Sequence, residues 1–259
     1  MGILEKYSIK KVKNKQIAGA LILEPIYNAH ALHVCRKKPE DESMVVISRK
    51  SGKIEASLIT GIPEVYVVPG YWLSASNYES AEILIKTLDC NAEISINYPI
   101  WAEEIIKGHF GDIETSYDNI YVYAKKYMEG DSSNLAMRLT EDIYNSCKIP
   151  KELKGLVCAN DLKLESKFFC ILENNTVCSI GEHYVDSGSV SAISQIFTVP
   201  QFRGKGYAAE VIKELAREIL SENKMPIYLL SESNIASKRA CEKAGFVLCA
   251  RIGFAEREN

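Results

Sequence analysis

The stretch Val199-Pro200-Gln201-Phe202-Arg203-Gly204-Lys205-Gly206-Tyr207-Ala208 joins a run that reads as strand to one that reads as helix. Upstream, Ile196, Phe197 and Val199 supply the apolar end of a strand. Downstream, Ala208, Val211, Ile212, Leu215, Ala216 and Ile219 recur at helical spacing. The turn therefore opens a helix. Its two glycines let the backbone approach a ligand with no Cβ in the way, and the unpaired N–H groups of the first helical turn point to the same place. An anion is favoured there, with Arg203 and Lys205 adding positive charge, and the turn reads as a pyrophosphate cradle.

Several ligands carry a pyrophosphate. Gly204-x-Gly206-x-x-Ala209 satisfies the loose dinucleotide fingerprint, but too little chain follows Ala209 to build the second strand-helix half of that fold. The G-x-x-x-x-G-K-[ST] string of a phosphate-binding loop occurs nowhere.

At 259 residues, two domains of ordinary size are expected. Hydrophobic residues at 47% and charged residues at 25% fit a chain that buries a core. A net charge of −3 gives no reason to expect nucleic acid or an anionic membrane as partner. The 8 cysteines include no C-x-x-C pair and read as buried thiols. His30, His33 and Cys35 come nearest to a metal pattern, but they lack a matching second half, so no metal is expected. Met1 to Asn14 is rich in lysine without the apolar core of a signal peptide, and no apolar run reaches membrane-spanning length. A reducing cytoplasm is the expected location.

Along the chain, Lys15 to Ile26 reads as helix or buried strand, and Arg36 to Glu42 as a solvated charged loop. Strands are expected at Met44–Ser48, Ile54–Thr60 and Glu64–Val68, the last closed by Pro69-Gly70. A helix over Ser76–Leu88 follows, with Ser76-x-x-Glu79 as capping box. Next come a strand at Ala92–Ile96, a helix from Pro99 to about Gly108 with Trp101, Ile105 and Ile106 on its apolar face, and a strand at Ile120–Tyr127. The polar segment Glu129–Asn134 marks the domain boundary, dividing the chain into 1–130 and 135–259. Helical material at Glu141–Val157 leads to strands at Lys167–Leu172, Val177–His183 and Val190–Val199, with hairpin turns at Asn174-Asn175 and Ser187-Gly188. The cradle helix, a strand at Ile227–Leu230, a helix at Ile235–Ala244 and a last strand at Phe246–Ala255 complete the order. The second half repeats the element order of the first. At the corresponding junction the first half has Val68-Pro69-Gly70-Tyr71-Trp72-Leu73-Ser74 and no glycine-spaced basic turn, so it should not bind the same ligand in the same way.

Arg203-x-x-Gly206-x-Ala208, preceded by proline and an aromatic, resembles the Q/R-x-x-G-x-G/A signature of the GNAT superfamily of acetyl-CoA-dependent N-acetyltransferases. A second register begins at Gln201; the one at Arg203 keeps the family's usual lead-in. Asn234-Ile235-Ala236-Ser237, followed by Gly245-Phe246, is similar to a second family motif. The resemblance covers about half the chain. It implies an α/β fold with a splayed central mixed sheet flanked by helices, the split lying between the strand that ends at Val199 and the strand Ile227–Leu230. It implies acetyl-CoA as co-substrate, with pantetheine in the split. Ile196, Phe197 and Thr198 would then bond the pantetheine amides, and Arg203, Gly204, Lys205, Gly206, Tyr207 and Ala208 would hold the pyrophosphate. Asn234 and Ser237 would lie along the cofactor arm, and Asn234 is equally a helix N-cap. With the repeated element order, the chain reads as tandem GNAT-like modules, the first degenerate.

The catalytic groups depart from the family. The position where many members carry a proton-donating tyrosine is Cys241, which reads as thiol donor or as small spacer. The position of the usual carboxylate base is Leu229. Glu182 and His183 are the next candidates, and strand alternation sends only one into the cleft; Glu182 is the choice for base. Tyr66, Tyr71 and Trp72 of the first half are candidates to line an acceptor pocket, although aromatics in strands are more often core. The expected activity is acetyl transfer to a primary amine of a small molecule. Glycine N-acyltransferases resemble this layout as well, which keeps a longer acyl donor in view, and a CoA-binding module without catalysis is the other reading. Homodimerisation is a further open expectation.

Overall fold

The computed structural model describes residues 3–61, 70–124, 135–163 and 167–258. They form two compact units, one of residues 1–119 with 250–259 and one of residues 120–249. The expected modules, 1–130 and 135–259, differ from these at both ends, and the segment Glu129–Asn134 lies outside the described residues. The C-terminal residues join the first unit because the last strand is long enough for its second half to pair there.

In the first unit, α1 (Ile3–Lys6) and β1 (Tyr7–Lys13) lead to α2 (Asn14–Leu21) and α3 (Ala29–Lys37). There follow β2 (Glu42–Ser48), β3 (Ile54–Thr60), β4 (Gly70–Ala75), α4 (Tyr78–Ile85), β5 (Ile94–Pro99), α5 (Glu103–Phe110) and β6 (Glu114–Tyr123), whose last residues belong to the second unit. The sheet order is β1-β2-β3-β4-β5 and then residues Ile252–Arg257, antiparallel to β5. Arg257 Nη1 donates to the carbonyl of Phe110 at 3.0 Å, anchoring this end. The core gathers Leu58, Leu73, Leu84, Ile96, Ile106 and Ala255.

Two local readings are corrected here, and a third falls outside the described residues. Residues Glu64–Val68 lie outside the described residues, and the strand beside β3 is Gly70–Ala75. The helix begins later than expected and its cap is Asn77, whose side chain accepts from the Ser80 N–H at 2.9 Å, while Ser76 hydrogen-bonds Glu55. Trp101 is 46% exposed and lies outside the apolar face that buries Ile105 and Ile106.

Within this unit His30 stacks on Trp72 at 5.4 Å between ring centroids. The imidazole keeps some solvent contact but is densely surrounded, and burial, with His33 adding to it, lowers its pKa from 6.5 to about 4. A histidine depressed in this way stays neutral in the fold while the unfolded chain takes up the proton. Its contribution is therefore complete above pH 6.5 and is lost as pH falls towards 4, on the order of 3 kcal/mol for this separation. Urea titrations at pH 7, 5.5 and 4.5 followed by tryptophan fluorescence are expected to show that decline, and His30→Gln to flatten it.

The second unit contains β7 (Ala136–Arg138), α6 (Glu141–Ser146), α7 (Lys151–Lys154), β8 (Lys167–Glu173), β9 (Thr176–Asp186), β10 (Val190–Thr198), α8 (Tyr207–Ser221), β11 (Met225–Ser231), α9 (Ile235–Lys243) and the start of β12 (Phe246–Arg257). Its strands run β11-β10-β9-β8-β7. Asn174 and Asn175, at φ 49° and 57°, make the tight turn expected of them between β8 and β9. One face packs α8 and α9 through Val211, Leu215, Ile219, Tyr228 and Cys241. The other packs α6 and α7 through Leu153, Phe168, Ile180 and Val199. No helix among the described residues is long and apolar enough to cross a membrane.

Candidate active site

β10 and β11 pair in parallel only from Val190/Met225 to Ile193/Tyr228. Beyond that rung the two strands separate, as the resemblance implied. A bulge in β10 coincides with the separation: Ser194 pairs with Glu182 of β9, the next pair is Phe197 with Ile180, and Gln195 between them has φ 51°. The ladder resumes with the Val199 N–H donating to the Cys178 carbonyl at 2.9 Å. By the alternation of an antiparallel pair, the peptide groups of Phe197 and Val199 face β9 and those of Ile196 and Thr198 face the split. The split is thus lined by backbone donors and acceptors on a strand held rigid from behind.

The cradle follows. A 3-10 turn, Pro200–Phe202, ends at Arg203; Gly204 and Gly206 then take φ 80° and 85°, and Gly206 is the N-cap of α8. No side chain caps that helix, so its first amides are open. The first unit is built differently at the equivalent turn, where Asn77 occupies the amide of Ser80. The N-terminus of α4 thus has one amide fewer to offer an anion than that of α8.

The basic residues of the cradle divide their work in a way the sequence reading missed. Arg203 Nε donates to the Thr198 carbonyl at 3.0 Å, and its guanidinium lies 5.7 Å from the Phe197 ring centroid. The Lys205 ammonium contacts both oxygens of Glu173 at 2.8 Å, and Tyr207 donates to the same carboxylate at 2.6 Å. Hydrogen bonds from Lys205 and Tyr207 hold the Glu173 carboxyl below its ordinary pKa. Lys205 thus ties the loop to the end of β8. A further cation reaches Gly206 from the end of α9: a Cβ added to Gly206 would lie 3.0 Å from Lys243 Nζ. Sequence distance hid both Glu173 and Lys243. Lys243→Met is expected to weaken binding of a diphosphate-bearing ligand about tenfold, and Lys205→Met by less, as measured by calorimetry with coenzyme A.

Alternation across β9 assigns the two candidate bases to opposite faces. A Cβ on Gly181 would meet Val211 and Leu215, so Gly181 and His183 face α8. Glu182 faces the other way, 3% exposed and opposite Ser194, whose Oγ is buried without a hydrogen-bond partner. Leu229, one residue past the last rung of β11, shares that face. Asn234 does act as N-cap of α9, accepting from the Ser237 N–H at 3.1 Å, and Ser237 hydrogen-bonds Tyr228. Cys241 is fully buried in the core between α8 and α9, and burial pushes its thiol up to about 12. In the first unit Trp72 is buried against His30 and Tyr71 packs on the core, while Tyr66 lies outside the described residues.

Residues 181–255, which span the split, the cradle and the Asn234 motif, match the family model of the FR47-like proteins. Among solved structures, a GCN5-related N-acetyltransferase from Sphaerobacter thermophilus is similar over 97% of this chain and 95% of its own, with TM-score 0.58 and 12% identity. This is the GNAT fold. A GCN5-related N-acetyltransferase-like protein from Streptococcus suis matches over 98% and 99% of the two chains, with TM-score 0.55 and 16% identity. A tandem GNAT protein from the clavulanic acid biosynthesis pathway matches over 98% of each chain, with TM-score 0.57 and 10% identity. The last fits two GNAT modules in succession. No significant match is found among curated proteins. In GNAT terms the second unit carries the split and cradle, and the first repeats the element order with a closed turn.

Proposed function

We propose that this chain is an N-acyltransferase that moves an acetyl group from acetyl-CoA to the primary amine of a small molecule. The observation that carries the reading is the uncapped N-terminus of α8, with its two left-handed glycines, directly after a strand that has parted from its parallel neighbour. These features fit a pantetheine diphosphate: a linear chain of amides needs an open strand edge, and a diphosphate needs open amides at a helix start. Bound there, acetyl-CoA would supply a thioester carbonyl and a thiolate leaving group.

The chain's own residues would then act as follows. Ile196 and Thr198 hold the pantetheine amides along β10. The amides from Gly204 to Ala208, with Lys243 beside them, hold the diphosphate. Glu182 takes the proton of the attacking amine, directly or through one water. Cys241, enclosed in the core between α8 and α9, acts as a packing residue. With its thiol at about 12 against about 8.5 for an ordinary thiol, donation to a departing thiolate would cost roughly 5 kcal/mol. Proximity of amine and thioester supplies much of the rate in such a site. The net charge of −3 supports a compact amine over nucleic acid as acceptor, and eight free thiols fit a reducing cytoplasm.

Thiol release from acetyl-CoA, measured against a panel of small amines and against hydrolysis without amine, tests this. Amine-dependent release is expected, with Glu182→Gln lowering kcat/KM about 100-fold while coenzyme A affinity is unchanged. Leu229 and Cys241 at the family's catalytic positions favour a second reading, a module that binds coenzyme A without turnover. Tight binding with no amine-dependent release would select it. Faster release from longer acyl-CoAs would assign the donor instead to that class.

A further inference from the structure

His183 takes no part in the chemistry above. It lies on the α8 face of β9, 7% exposed, with Nδ1 3.2 Å from Ser191 Oγ. With Nδ1–H donated to that hydroxyl, Nε2 carries a lone pair, and Nε2 is buried without a hydrogen-bond partner. Facing it at the C-terminal end of α8 are Glu218 and Glu222, one helical turn apart. The imidazole nitrogen and an oxygen of each carboxylate lie within 4.8 Å of one another.

A lysine ammonium already sits among the acids: Lys167 pairs with Glu222, and with Glu218 at 3.1 Å. Arg138 also reaches Glu218, and Lys224 reaches Glu222 at 2.8 Å. None of these cations satisfies Nε2. What would serve one imidazole lone pair and two carboxylates together is a metal cation.

We propose that His183, Glu218 and Glu222 form a binding site for a divalent transition-metal cation of the zinc class, in exchange for the Lys167 ammonium. One imidazole and two carboxylates are a donor set that zinc accepts, with water completing the coordination. Ser191 fixes the ring's orientation from behind, as a partner to a ligating histidine does. Lys167 is 29% exposed and can swing into solvent when displaced. Such a metal would clamp β9 to the last turns of the helix whose first turn forms the cradle.

The test uses the full chain after chelator treatment, titrated with Co2+ alone and read by visible absorption and equilibrium dialysis, with Zn2+ competing. One equivalent is expected to bind with a ligand-field band that Zn2+ abolishes, and the thermal midpoint is expected to rise. His183→Gln should weaken binding at least tenfold and Lys167→Met should tighten it, because no ammonium then competes. Should His183→Gln fail to fold, Glu222→Gln, a partly exposed position, carries the same expectation. Sub-stoichiometric binding, or binding unaltered in the His183 or Glu222 variant, means an adventitious ion only and overturns the site.

Discussion

Gly206→Val is expected to weaken coenzyme A binding by about 2 to 3 kcal/mol, or roughly 30- to 150-fold in Kd. Two effects combine. At φ 85° a β-branched residue is strained, and its Cβ would stand 3.0 Å from the Lys243 ammonium. The loop relieves both by leaving the left-handed conformation, which turns the open amides of α8 away from the diphosphate. Gly204→Ala separates the two contributions. Its φ of 80° imposes the conformational cost, but an added Cβ there meets nothing within 4 Å, so the loss should be smaller. Calorimetry with coenzyme A, alongside circular dichroism to establish folding, reads the comparison. An unchanged Kd in a folded Gly206→Val variant would remove the cradle from the ligand site.

Gly181→Val should lower stability by about 3 kcal/mol or more. Its Cβ would lie 2.3 Å from Ile196 Cδ1, 2.8 Å from Val211 Cγ1 and 3.0 Å from Leu215 Cδ1. Val211 and Leu215 belong to α8 and are fully buried, so they cannot yield without lifting the helix from β9. Ile196 belongs to the strand that borders the split, so the same substitution should also disturb ligand binding. A fall in thermal midpoint on the order of 10 °C is expected, with a matching shift of the urea midpoint. A change within 0.5 kcal/mol would mean that the helix does not pack as closely as described.

Much of the second unit was readable from its chain. The apolar spacing of Val211, Ile212, Leu215 and Ile219 gave α8, and the Asn174-Asn175 pair gave the hairpin before β9. The run Ile54–Thr60 predicts its own bounds, because Ser51-Gly52 precedes it and Gly61 and Pro63 follow it. The reading went astray where neighbours in space compete for one role. Ser76 and Asn77 both suit a helix cap, and Glu55, distant in sequence, engages Ser76 and leaves Asn77 to bond Ser80. A single module ending at residue 259 was a natural reading of the last strand. Ile252–Arg257 instead pair with β5, a partner that no local pattern names.

The nature of the cradle was settled by adjacent residues. Backbone freedom at glycine, the first turn of a helix and the direction of its dipole all act within a few bonds, so a short string suffices to imply an anion site. Which cation serves it required the fold: Glu173 engages Lys205 from 32 residues away, and α9 delivers Lys243 to Gly206. The same holds for Glu182 and His183. Alternation says that they face opposite ways, and only the packing of α8 over Gly181 says which way each faces, because a period of two has no absolute sign until one face is covered.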